Sequence, residues 1–178
     1  MPGAGKSNNF DGSRFFLDGY RRTVSFADIL KWQFGGGRRK WPRRIDNRPY
    51  PPPPSRVMGS ELRATWIGQA TVLLQTAGLN ILTDPLLSDR ASPFQWLGPK
   101  RVRDPGIAIE ALPPIDVILL SHNHYDHMDL PALRRLAGHS APHILTPLGD
   151  ARHIHKSGGN FHIDEMDWAK ASEPVKRK

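Results

Sequence analysis

The sequence has no cysteine, which excludes disulfides and thiolate metal sites and fits a reducing compartment; the cytoplasm is the expected location. It also lacks any stretch near the roughly 18 apolar residues that cross a bilayer. Residues Met1–Phe16 carry no apolar h-region, so no secretory signal is expected. No internal repeat is found. What remains is ordinary for a folded domain: 178 residues, 38% hydrophobic and 24% charged, enough for one sizeable core.

Acidic residues are scarce in one part only. Residues 1–63 hold 13 Lys/Arg against 5 Asp/Glu, and residues 64–178 hold 12 of each, so the whole net charge of +8 sits in the first third. Such a basic arm suits an anionic surface: phospholipid headgroups or nucleic acid, or it serves solubility alone.

Residues 1–60 read as a basic Pro/Gly-rich extension. They hold Gly35-Gly36-Gly37, Arg38-Arg39-Lys40 and the tract Pro49–Pro54, expected as an exposed polyproline II linker. Within it, Phe26, Ile29, Leu30 and Phe34 recur at helical spacing, with Ser25 as N-cap and Gly35 as stop. This short helix either packs on the domain or lies on a membrane. Packing is favoured, because its polar face is not strongly cationic.

From Glu61 the texture turns to strands: 62–67, 71–76 and 79–83, joined as hairpins, then a Pro/Gly-rich loop over 88–115. The apolar run 116–120 predicts a strand buried on both faces. A helix follows, with Asp129 as N-cap, Pro131 in its first turn and Gly138 as its end. Then come a strand at 143–146, a helix at 150–157 and a strand at 160–163. The β-α-β-α-β order implies an α/β sheet covered by helices.

Directly after the buried strand stands Ser121-His122-Asn123-His124-Tyr125-Asp126-His127, with three histidines and one aspartate in six residues. Imidazole and carboxylate are the ligands of borderline and hard divalent ions. In an extended strand exit, His122 and His124 point to one side and can reach one metal, while Asp126 and His127 follow a turn and can face a second. Histidines 139, 143, 153, 155 and 162 show no such clustering and read as surface or structural residues.

The motif His122-Asn123-His124-Tyr125-Asp126-His127 resembles the His-x-His-x-Asp-His signature of the metallo-β-lactamase fold. Thr65–Leu74, Leu82-Thr83-Asp84-Pro85, Arg90–Pro93, Gly98–Arg101, Leu112–Asp116 and Ser121–Asp129 narrow the resemblance. They are similar to the N-acylphosphatidylethanolamine-hydrolysing phospholipase D branch, in a bacterial relative, over about residues 61–168.

The resemblance implies an αββα sandwich, of which residues 61–178 are the N-terminal half, and two zinc ions per complete site. It assigns His122 and His124 to the first metal, and Asp126 and His127 to the second. Asp126 also belongs to the hydroxide site. Asp84 lies nearby and orients the ligating imidazoles; read by itself it is equally a turn-starting Asp before Pro85. The family usually has histidine where this chain has Gln69. Its domain also continues past Asp167-Trp168, where the third histidine of the first metal, a bridging aspartate and a last histidine are expected. The chain thus holds four of seven expected ligands.

The implied activity is zinc-dependent hydrolysis of phosphodiester lipids by a metal-bound hydroxide, with a basic extension suited to the inner face of a membrane. The alternatives are another hydrolysis on the same fold, of a lactone or a non-lipid phosphodiester, or an inactive truncated fragment. Nucleic-acid binding is disfavoured, because no aromatics interleave with the basic residues as in a known module.

Overall fold

The computed structural model describes residues 25–35, 42–48, 50–92, 94–98 and 100–167. The run Arg38–Lys40, Pro49 and Trp168 lie outside the described residues. The chain divides into two compact units, residues 1–43 and 44–178. In the first, α1 (Phe26–Phe34) begins with a reciprocal cap: the Ser25 hydroxyl accepts from the Asp28 amide, and the Asp28 carboxylate accepts from the Ser25 amide at 3.0 Å.

The second unit is built on one six-stranded sheet: β1 (Leu62–Gly68), β2 (Thr71–Thr76), β3 (Leu79–Thr83), β4 (Val117–Leu119), β5 (His143–Pro147) and β6 (His162–Met166). Its spatial order is its sequence order. The first three strands pair antiparallel, and β3 to β6 pair parallel. The β2–β3 turn has two positive φ values, Ala77 at 48° and Gly78 at 75°, the twist that a two-residue hairpin favours. Helices α2 (Leu130–Ser140) and α3 (Ala151–Lys156) form the last two of the three crossovers in the parallel half.

Register explains the core. Leu73, Leu82, Ile118 and Ile144 stand opposite one another on one face, each fully buried. Ala132, Leu133 and Leu136 of α2 and Ile154 of α3 complete that layer. One helical layer on one sheet face is the α/β half of the four-layer arrangement expected. The other face carries Trp66, Leu74, Ile81, Leu119 and Leu145.

Four readings need correction. Leu119 is 36% exposed, so the run 116–120 is not buried on both faces; α2 and α3 pack on the face of Ile118, not on that of Leu119. Helix α2 runs through Gly138 to Ser140, because the left-handed terminating residue is Ala141 at φ 47°. β6 begins two residues later than the expected 160, since pairing with β5 sets its register from His162. The loop 88–115 contains a 3₁₀ turn at Ile109–Ala111.

The end of the proline tract is held by the sheet. Buried Gln75 donates to the Pro54 carbonyl (2.8 Å) and to Asn80 Oδ1 (2.9 Å), and Asn80 Nδ2 donates to the Ser55 and Pro114 carbonyls (2.9 and 2.8 Å). Arg56 pairs with Asp116, whose carboxylate also accepts from the Asn80 amide. Among the described residues no helix is long and apolar enough to cross a membrane.

Candidate metal centre

The histidine-rich loop leaves the C-terminal end of β4, next to the end of β3 where Asp84 sits. Asp84 adopts φ 34°, a left-handed conformation that aspartate tolerates better than most side chains. Its amide donates to the Leu119 carbonyl, and its carbonyl accepts from the Thr71 hydroxyl at 2.7 Å. The backbone is thereby pinned, and the buried carboxylate points at Ser121 and His127.

That carboxylate organises the loop. Oδ1 accepts the Ser121 amide at 2.7 Å; Oδ2 accepts the Ser121 hydroxyl at 2.7 Å and His127 Nδ1 at 2.9 Å. An ionised carboxylate only accepts, so Ser121 and His127 must both donate. The Ser121 oxygen then faces His122 Nδ1 at 2.9 Å as acceptor. Both His122 and His127 are therefore placed to donate from Nδ1, and in a neutral ring that leaves Nε2 as the atom open to a metal. Burial lowers the His122 pKa from its ordinary value, with the neighbouring His127 and His124 adding to the effect against Asp84 and Asp126. A neutral ring is what a metal requires of histidine.

The loop turns tightly from His124. The amides of His127 and Met128 both donate to the His124 carbonyl, at 2.9 and 2.7 Å. The turn folds the segment back, so the His122 ring lies 4.6 Å from His124 and 4.0 Å from His127, centre to centre. Asp126 Oδ2 stands 3.6 Å from His127 Nε2. The four predicted side chains thus adjoin pairwise, His122 beside His124 and His127 and Asp126 beside His127, with Asp84 behind His127; among the described residues no three of the four bring one ligand atom each within 4.8 Å of one another.

Three contributions escape sequence reasoning. Gln69, on the β1–β2 turn at φ 52°, donates from Nε2 to Asp126 Oδ2 at 3.2 Å and so steers that carboxylate. Asn123 turns away from the histidines and donates to the buried Asp150 at 2.8 Å, tying the loop to the start of α3. Asp129 caps α2 through Ala132 and also accepts from the Leu87 and Ser88 amides at 3.0 and 2.7 Å, anchoring the segment after Asp84. The Asp129 cap on Ala132 is local and expected; the bonds of Gln69 to Asp126, Asn123 to Asp150 and Asp129 to Leu87 and Ser88 are long-range, and no local pattern announces them. Histidines 143 and 162, read as isolated, are brought together: their rings stack at 4.0 Å, because β5 and β6 pair them directly.

Residues 79–175 match the beta-lactamase superfamily domain. The chain is 41% identical over 123 residues to the N-acyl-phosphatidylethanolamine-hydrolyzing phospholipase D 1 of Caenorhabditis elegans, covering 66% of this chain and 34% of that protein. It is 41% identical over 76 residues to a UPF0173 metal-dependent hydrolase of Anaeromyxobacter, covering 42% of this chain and 24% of that one. A solved isothiocyanate hydrolase from Delia radicum gut bacteria aligns with TM-score 0.44 and 27% identity, over 58% of this chain and 41% of that one. The chain spans about a third or less of the length of these curated relatives. By the residues it matches, the chain belongs to the beta-lactamase superfamily domain family, and its six-stranded α/β sheet is of the metallo-β-lactamase fold, a fold of metal-dependent hydrolases.

Proposed function

We propose that this chain carries the N-terminal half of a zinc-dependent phosphodiesterase site acting on an N-acylated phosphatidylethanolamine-type lipid. The observation that carries the reading is the relay through Asp84 and Ser121, which engages the Nδ1 atoms of His122 and His127 and leaves their Nε2 atoms for a metal, that of His127 beside Asp126. The substrate class rests on the activity named for the worm relative.

His122 and His124 would hold one ion, and Asp126 and His127 the other. Divalent zinc in such a site lowers the pKa of a coordinated water and stabilises negative charge on phosphoryl oxygens. The protein's share is positional: Asp84 and Ser121 lock two rings, and Gln69 orients the Asp126 carboxylate. Zinc sites generally use at least three protein ligands per ion, and four donors cannot supply two ions. Residues 1–178 alone would therefore hold zinc weakly and turn over slowly. The basic residues of 1–63 would favour an anionic lipid surface by about 1 kcal/mol each when close to it.

The test is metal content after dialysis together with a panel of N-acylphosphatidylethanolamine, non-lipid phosphodiesters and lactones. Substoichiometric zinc and trace, chelator-sensitive phosphodiester cleavage, lost in His122→Ala, is the expected result. Two tightly held equivalents with rapid turnover would overturn the half-site reading. Lactone hydrolysis without phosphodiester cleavage would overturn the substrate reading.

A further inference from the structure

A second group of metal-type donors stands on the opposite end of the strands. His143 opens β5, His162 opens β6, and the two residues are direct partners in parallel register. Asp164 follows His162 by two residues and so shares its face. One ligand atom from each of the three lies within 4.8 Å of the others. β4 pairs with β5 at Val117 and His143, so the group sits at the beginning of the parallel strands. The loop of the candidate centre leaves at Ser121, roughly 13 Å further along β4 at about 3.3 Å per residue.

His143 is the decisive residue. It is only 7% exposed, and among the described residues neither of its ring nitrogens has a hydrogen-bond partner. Its Nε2 does lie 3.0 Å from Asp164 Oδ2, but too obliquely for an N–H···O bond. A buried polar atom without a partner costs about 1–3 kcal/mol. The stacked His162 ring, 4.0 Å away and 5° from parallel, offers no acceptor in the ring plane of His143. What satisfies a buried imidazole lone pair beside a second imidazole and a carboxylate is a cation. The Nε2–Oδ2 separation is close to the ~3.3 Å that two atoms show when each ligates one tetrahedral ion at about 2.0–2.1 Å. Two imidazoles select a borderline transition ion over calcium or magnesium.

We propose that His143, His162 and Asp164 form a site for one divalent cation of the zinc class, separate from the histidine-rich loop and closing the β5–β6 edge of the sheet. Three protein ligands with a solvent-facing fourth position suit the exposure of His162 and Asp164. A cation there cross-links the outermost pair of strands, so its binding adds to the stability of β6.

The experiment uses the full chain, stripped with chelator and titrated with Co2+, whose visible absorption reports tetrahedral ligation. A His122→Ala/His124→Ala variant removes the loop donors, and one equivalent is expected to remain in it. Adding His162→Gln or Asp164→Asn, both at exposed side chains, should weaken that equivalent at least ~10-fold while the circular dichroism stays unchanged. In the unsubstituted chain, Zn2+ should shift the ring nitrogen resonances of His143 and His162. Loss of all Co2+ binding in the loop variant overturns the proposal. So does a residual equivalent indifferent to both substitutions, or His143 and His162 resonances that Zn2+ leaves in place.

Discussion

Replacing Asp84 by asparagine tests the logic of the loop with little change of shape. Asparagine tolerates the left-handed φ of 34° as aspartate does, so the backbone should stay. Its Oδ1 can still accept the Ser121 amide. The other position becomes an NH2, which faces the Ser121 hydroxyl and His127 Nδ1 with donors where the carboxylate offered an acceptor. Ser121 must then turn its proton toward His122, and His127 Nδ1 must accept. Both rings change tautomer, and both Nε2 atoms gain a proton. Hydrogen bonds to a charged group contribute about 1.5–3 kcal/mol against about 0.5–1.5 for neutral ones, so replacing two of them costs about 2 kcal/mol. Asp84→Ala loses all three, orphans the Ser121 amide and adds a left-handed alanine, at a cost of at least ~4 kcal/mol. Zinc affinity should fall roughly 10–100-fold in the asparagine variant, because the donors are masked rather than removed. Urea denaturation reads the stability, chelator competition reads the affinity, and long-range proton–nitrogen correlation reads the tautomers. A wild-type His127 already protonated at Nε2, or an Asp84→Asn protein with unchanged zinc affinity, would refute the reasoning.

Other consequences are equally open to measurement. Asn80→Ala should destabilise the sheet by about 3 kcal/mol, since the Ser55 and Pro114 carbonyls and the Gln75 amide all lose a partner; a urea-derived change below ~1 kcal/mol would contradict the clamp. Burial raises the Asp150 carboxyl above the ordinary aspartate value, against the Asn123 hydrogen bond. The fold thus favours the protonated form, and this contribution to stability is present at low pH and lost as pH rises through the raised value. Asp150→Asn should remove that loss, and a variant destabilised more at neutral than at acid pH would disprove it. In metal-free protein, His122 should titrate below the ordinary value near 6.5, so that acidification through that range costs stability. A proton NMR titration placing it at or above 6.5 would count against the buried, neutral ring.

Much of this was legible where the signal is local. The alternation of 71–76, the apolar run after Asp116 and the Asp129 cap all mark elements at the right places, because periodicity and capping act within a few residues. The histidine spacing likewise marks the loop. What stays hidden is what the register decides. Asp84 reaches His127 across 43 residues, and Gln69 reaches Asp126 across 57. His143 and His162 meet only because two parallel strands place them side by side. Leu119 looks like core in the sequence, yet it sits on the sheet face that α2 and α3 do not cover. The polar start of β6 disguises an edge strand that is half solvated.

The sheet's order, each strand beside its sequence neighbour, sets how the candidate centre comes into being. The hairpins β1–β2 and β2–β3 close over short turns and need no help from later residues. β4 is the first strand that must return across a long crossover before it pairs, and loop closure makes that step slow. Asp84 ends β3 and Ser121 follows β4, so the bonds between them cannot exist until that return is complete. The histidines are therefore oriented only once the long connection between β3 and β4 has closed. Mutations that weaken the β3–β4 register should delay cation binding during refolding even where the final affinity is unchanged. The centre thus depends first on one strand junction, and its ties to the β1–β2 turn and to the ends of α2 and α3 complete it.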